Sequence, residues 1–167
     1  IFDCTQSQLR FMLQTTTLHG PTDNYTYPPG FELFAPVCKP VELSQTNPEE
    51  LVNSYDNTIV YTDYLIHSVI DILKEIPQRR GCVIYVSDHG ESLGEGNMYM
   101  HGVPMFAAPK EQIEIPFIVW TSDSAMQVNE DEKVGHYHVF HSVLRFFGID
   151  TPVYNSSLDV FEQPSEN

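Results

Sequence analysis

The segment Ser87-Asp88-His89-Gly90-Glu91-Ser92-Leu93-Gly94-Glu95 puts two carboxylates and an imidazole within four residues, 88–91. Asp88 and His89 are neighbours, and neighbours do not share one face of a helix. At the end of a strand the backbone turns, and two adjacent side chains can converge on one ion. Imidazole with carboxylate suits Zn2+, and Mn2+ as well. Gly90 is expected to adopt a backbone conformation closed to other residues. Glu91 reads as a further ligand or as an acceptor that orients one. His101, in Met100-His101-Gly102, and His19, in His19-Gly20-Pro21, lie in loops expected to flank the same turn. A single His would read as a satisfied loop residue. Three His and one Asp on strand-end loops read as a metal site.

Those loops need strands and helices to hold them. Residues 10–18 are apolar and β-branched and read as a strand that stops at His19-Gly20-Pro21. Residues 82–87 are a short apolar run of the kind found in a buried parallel strand, and 115–120 look like another buried strand, with Pro116 at its start. The clearest helix spans 48–76, with Asn47 as N-cap, Pro48 at N1 and Glu50 at N3 as a capping box. Leu51, Tyr55, Ile59, Ile66, Val69, Ile70, Leu73 and Ile76 recur along it at helical spacing, and Pro77 ends it. Such a helix is about 43 Å long, enough to expect a kink. A second helix over 136–147 carries Val139, Phe140, Val143, Leu144 and Phe147 on one face, with Gly148 as its stop.

Residues 22–47 read as an ordered, Pro-rich loop, and 88–114 as a Gly-rich irregular one. The tail after Asp159 is expected to fray. Strands alternating with helices indicate an α/β fold whose sheet is mostly parallel, with helices flanking it. Sites in such sheets form beyond the carboxyl ends of the strands, which is where Asp88-His89 and His19 fall.

Composition narrows the function classes. The chain has 167 residues, 41% apolar, 19% charged, with a formal net charge of −15. A nucleic-acid binder needs cationic surface, and eight basic residues against twenty-three acidic ones do not supply it. No apolar run approaches the roughly 18 residues of a membrane span. Cys82 reads as a buried thiol, while Cys4 and Cys38 can pair or stay apart. The chain opens on Ile1-Phe2-Asp3-Cys4, without an initiator Met or a signal sequence, as expected for a piece of a longer protein.

Several other polar residues read as structural. His67, Asp63 and Asp71 are expected on the surface, and Asp56 and Asn57 as exposed or capping neighbours. His136, His138 and His141 read as packing or supporting residues rather than ligands, and Trp120 as core.

At the level of motifs, residues 87–95 with Tyr99-Met100-His101-Gly102 resemble the metal-binding loop of the phosphoethanolamine transferases. This group includes the lipid A-modifying, polymyxin-resistance enzymes of the alkaline phosphatase superfamily. The resemblance extends to His19-Gly20-Pro21, to Tyr27-Pro28-Pro29, Phe31, Phe34 and residues 36–38, to 51–59, and to 139–144. It thus runs from about residue 10 to 150. The Asp-His-Gly-Glu core by itself is shared with sulfatases.

The resemblance implies an alkaline phosphatase-like fold, here the C-terminal portion of one catalytic domain. It implies transfer of phosphoethanolamine from phosphatidylethanolamine to lipid A or a related glycan, through a Thr nucleophile and zinc. Asp88, His89, His19 and His101 match metal positions of the family, with His19 and His101 on a second metal or the substrate phosphate. His19, His101 and Glu91 are the catalytic candidates. The family's nucleophilic Thr and an earlier Glu ligand lie in an upstream segment that this sequence lacks, so the piece alone is expected to be inactive. Family members sit in the bacterial inner membrane through an N-terminal anchor, with a periplasmic catalytic domain; this piece is expected to be soluble and, with part of its sheet missing, to self-associate. Thr46 stands near where the family often has a Cys to pair with the position of Cys38. A sulfatase or phosphodiesterase of the same superfamily, or a non-catalytic metal-binding domain, are the alternatives.

Overall fold

The computed structural model describes residues 27–38, 47–130 and 132–162. The strand expected over 10–18, His19, and Cys4 with its candidate pairing to Cys38 lie outside these residues. The chain divides into two compact parts, residues 1–58 and 59–167, with the division inside the long helix.

In the first part, α1 (Pro48–Lys74) begins where the capping residues put it. Asn47 Oδ1 accepts the Glu49 N–H at 2.9 Å, satisfying one of the helix's orphan donors. The helix runs unbroken for 27 residues and stops two short of the expected end. Its buried positions include more polar than apolar side chains: Leu51, Ser54, Asn57, Thr58 and Thr62. Asn57, expected to be exposed, is fully buried. Its Oδ1 accepts the N–H groups of Leu33 and Phe34 at 2.8 and 2.9 Å, and its Nδ2 donates to the Phe34 carbonyl at 2.9 Å. Ser54 Oγ accepts the Cys38 N–H at 2.8 Å, and Asn53 donates to the Pro36 carbonyl at 2.9 Å. Residues 27–38 have no strand neighbour among the described residues, so their backbone groups need other partners. A stripe of amides and hydroxyls on α1 supplies them. Periodicity of apolar residues is blind to such a stripe, and Ile59, which it assigned to the core, is 42% exposed.

The second part is organised on a two-stranded sheet of β1 (Cys82–Val86) and β4 (Phe117–Thr121). They pair antiparallel, from Cys82 opposite Thr121 to Val86 opposite Phe117. The α/β class stands, but the expected parallel sheet is not what these strands form: both ladders among the described residues are antiparallel. An apolar run signals burial and carries no information on direction. The connection does: a parallel return requires a crossover, usually a helix along the sheet. Residues 87–116 hold only the short strands β2 (Ser92–Leu93) and β3 (Tyr99–Met100), a 3-10 turn at Glu95–Asn97 and the four-residue helix α2 (Lys110–Ile113). The segment therefore leaves and re-enters the sheet at the same end, and every site candidate in it sits there.

Helix α3 (His136–Phe146) closes with the double hydrogen bond of a left-handed glycine stop. Gly148, at φ 62°, donates to the Arg145 carbonyl, and Ile149 donates to that of Leu144. Its buried residues are His138 and Ser142; the apolar face expected to pack is partly open, with Phe140 53% exposed. Ser142 Oγ donates to the His138 carbonyl and accepts the Val160 N–H. The segment after Asp159 does not fray as far as Glu162. Val160 and Phe161 are each 2% exposed, and Phe161 bridges to Val128. Two apolar side chains and two backbone hydrogen bonds to residues 127 and 129 hold it.

Burial pushes the Cys82 thiol up to about 11 from 9.0. Below pH 9 both folded and unfolded chains hold the proton, and the thiol contributes nothing to the pH dependence. Between pH 9 and 11 the unfolded chain loses its proton first, so stability falls as pH rises. Denaturation midpoints of wild type and Cys82→Ala across pH 8–11 are expected to diverge, wild type falling more steeply. Parallel curves would refute the buried thiol. Among the described residues no helix is long and apolar enough to cross a membrane.

Candidate metal centre

The turn after β1 is fixed from several sides. Ser87 Oγ donates to the His89 carbonyl at 2.7 Å, and Asp88 Oδ1 accepts the His89 N–H at 3.1 Å. The Gly90 N–H donates to the Gln112 carbonyl in α2 at 3.1 Å. Gln112 is buried, and its side chain donates to Ser92 Oγ at 2.9 Å. Gly90 is not among the residues of positive φ, contrary to expectation. A glycine is required for space: a Cβ at this position would stand 2.0 Å from the Glu111 carbonyl oxygen.

The β2–β3 pairing returns the chain to the same place. Ser92 is opposite Met100, so the next positions along the ladder are Glu91 and His101. The left-handed backbone of Met100, at φ 66°, immediately precedes His101. His101 Nδ1 lies 2.9 Å from Glu91 Oε2, and the rings of His89 and His101 stack with centroids 3.7 Å apart. One ligand atom from each of His89, Glu91 and His101 falls within 4.8 Å of the others.

Hydrogen bonding sets the tautomers. His89 Nδ1 is 2.9 Å from the Gly90 carbonyl, which only accepts. Nδ1 therefore carries the proton, and the Nε2 lone pair is free to ligate. The same reasoning, with a carboxylate acceptor, leaves the His101 Nε2 lone pair free. Asp88 Oδ2 lies 3.7 Å from His89 Nε2, close to the roughly 3.4 Å separating two ligands of a tetrahedral zinc. The Asp88 side chain is 76% exposed, whereas that of Glu91 is 6% exposed.

Of the residues singled out by sequence, His89, Glu91 and His101 come together, and Asp88 adjoins His89. His19 lies outside the described residues. Ser87 and Gln112, which brace the turn, were not foreseen; Ser87 does so through a bond within the turn, and Gln112 through bonds from a distant segment, for which spacing gives no signal. Tyr85, just before the turn, has its phenol raised by burial and then by the Asp88 carboxylate.

A family model described as Sulfatase matches residues 6–149. The chain belongs to this family. Among curated relatives, the phosphoethanolamine transferase EptA of Escherichia coli (strain K12) is 36% identical over 163 residues, covering 90% of this chain and 30% of that protein. EptA of Helicobacter pylori is 41% identical over 155 residues, covering 89% of this chain and 30% of that protein. The chain thus spans about a third of the length of these relatives. The crystal structure of the C-terminal periplasmic domain of phosphoethanolamine transferase EptC from Campylobacter jejuni superposes with a TM-score of 0.79 at 41% identity, covering 85% of this chain and 48% of that one. The resemblance to phosphoethanolamine transferases read from the motifs is borne out by these relatives, and the fold matches about half of the EptC periplasmic domain.

Family membership makes a resident metal the natural expectation, and the donor set can be tested for it. Glu91 Oε1 is buried with no hydrogen-bond partner among the described residues. An orphaned buried carboxylate oxygen costs on the order of 1–3 kcal/mol or more. A cation bound beside it, shared with two imidazoles, removes that cost. The His/Glu set fits a divalent metal.

Proposed function

We propose that this chain forms part of the catalytic domain of a zinc-dependent phosphoethanolamine transferase. The donor is phosphatidylethanolamine and the acceptor is lipid A or a related glycan. The orphaned Glu91 oxygen between His89 and His101 carries the metal half of this reading. The identity of 36–41% to EptA proteins carries the transferase half.

In this reading His89, Glu91, His101 and Asp88 hold metal, with His19 joining them or the substrate phosphate. Bound zinc lowers the pKa of a nucleophilic hydroxyl and neutralises charge developing on phosphorus. The remaining chemistry is positional. Glu91 takes the Nδ1 proton of His101 as a hydrogen bond and so keeps its Nε2 available. The Gly90 carbonyl does the same for His89. Asp88, open to solvent, is placed to meet an incoming group. The nucleophile is a Thr supplied by an upstream segment, which also carries the membrane anchor, and the catalytic domain faces the periplasm. The mainly acidic chain suits cation binding and leaves recognition of an anionic lipid to the metal.

Metal content of the purified chain tests this reading, with wild type beside Asp88→Ala/His89→Ala. Zinc near one equivalent in wild type and lost in the double variant is the expected result. A chain extended upstream is then expected to transfer phosphoethanolamine from a fluorescent phosphatidylethanolamine. Sulfate-ester hydrolysis by the extended chain, without transfer, would assign it to the sulfatases instead. Absence of zinc from the extended chain would overturn the metal reading.

A further inference from the structure

His136 is the first residue of α3 and comes from a part of the chain remote from the metal turn. Its Nε2 nevertheless lies 2.7 Å from the Ser87 carbonyl oxygen, 49 residues away in sequence. A carbonyl only accepts, so Nε2 carries the proton and donates. That nitrogen is thereby committed, and His136 is not in the His89, Glu91, His101 cluster. It is not a ligand.

What it grips is the residue immediately before Asp88. Ser87 is the junction between β1 and the turn. Its N–H points to the Pro116 carbonyl at 3.4 Å, and its hydroxyl donates to the His89 carbonyl at 2.7 Å. Only the Ser87 carbonyl is left over from those bonds, and His136 takes it. The peptide that carries this carbonyl also carries the Asp88 nitrogen. Its orientation sets where the Asp88 and His89 side chains leave the backbone. His136 is itself held: the Gly135 N–H donates to Nδ1 of His138, and His138 is 3% exposed. The start of α3 is thus a fixed post.

We propose that His136 is a positioning residue for the metal centre, orienting the Ser87–Asp88 peptide so that Asp88 and His89 present their ligand atoms together. The proposal rests on the metal reading of that turn. Outer partners that orient ligands typically contribute 10–100-fold to metal affinity.

The side-chain amide nitrogen of Gln sits where His Nε2 sits, while that of Asn is closer to Nδ1. Zinc affinity is measured by chelator competition for wild type, His136→Ala, His136→Gln and His136→Asn, with His89→Ala as the control for the metal site. His136→Ala is expected to weaken zinc by about 10–100-fold. His136→Gln should recover most of that loss and His136→Asn should not. Equal affinity in wild type and His136→Ala overturns the proposal while leaving the metal reading intact. So does a Gln variant as weak as Ala with an unchanged unfolding midpoint. Nitrogen-15 spectra of the metal-free wild type should give the Nε2–H tautomer for His136; the Nδ1–H tautomer overturns the bond itself. Where wild type holds no zinc, the competition is repeated on the chain extended upstream, and absence of zinc there refutes the metal reading instead. In that case amide exchange over residues 88–91 decides on His136: protection must fall in His136→Ala and return in His136→Gln.

Discussion

Gly90→Ala is expected to destabilise the chain by about 3 kcal/mol and to weaken metal binding together with it. The added Cβ would meet the Glu111 carbonyl oxygen at 2.0 Å and the carbonyl carbons of Glu111 and Gln112 at 3.0 and 3.1 Å. All three are backbone atoms, so no side chain can swing aside. Either α2 moves off the turn or the turn moves off α2. The Gly90 N–H to Gln112 bond is lost in both cases, and the Gly90 carbonyl that fixes the His89 tautomer shifts with it. Gly135→Ala is the control. Its φ of −154° is ordinary extended backbone, and the three atoms nearest its added Cβ all belong to the Tyr137 ring, a residue 60% exposed and able to give way. Denaturant midpoints and zinc competition on both variants check the expectation. A Gly90→Ala chain within about 0.5 kcal/mol of wild type would refute the close approach of α2.

The glycine shows what a sequence reveals and what it withholds. That a Gly must follow Asp-His was legible; the reason was not, because α2 lies twenty residues on and its approach is a tertiary fact. The same division holds elsewhere. Asn47-Pro48 gave the start of α1, and Gly148 gave the end of α3, because caps are local chemistry. The direction of β4 against β1 was not legible, since an apolar run has no polarity. The polar stripe Ser54 and Asn57, and the buried Ser142, were invisible to apolar periodicity, because each is buried by hydrogen bonds to a distant segment rather than by hydrophobicity. Phe161 was lost in a polar tail that its own side chain anchors. In the site, Asp88, His89, Glu91 and His101 were all named from the motif. Their grouping, with Glu91 rather than Asp88 at the centre of the cluster, came from the β2–β3 register.

That central place gives Glu91 the other large expected effect, and its sign differs between stability and binding. Glu91→Leu is expected to lower zinc affinity at least 100-fold, since one charged ligand is lost and His101 loses the acceptor for its Nδ1. The metal-free chain should unfold at the same denaturant concentration as wild type or higher. The Glu91 side chain is 6% exposed, and its Oε1 has no partner among the described residues, so without metal the carboxylate sits at a penalty that Leu does not share. His101, 37% exposed, can turn its Nδ1–H to water. Glu91→Gln separates charge from shape: its amide oxygen can still accept from His101, so its zinc affinity should fall between the other two. A metal-free Glu91→Leu chain markedly less stable than wild type would make Glu91 a structural acceptor rather than a ligand. Unchanged zinc affinity would lead to the same conclusion from the other side. A gain in metal-free stability joined to loss of metal is the mark of a group kept in an unfavourable place for the sake of what it binds.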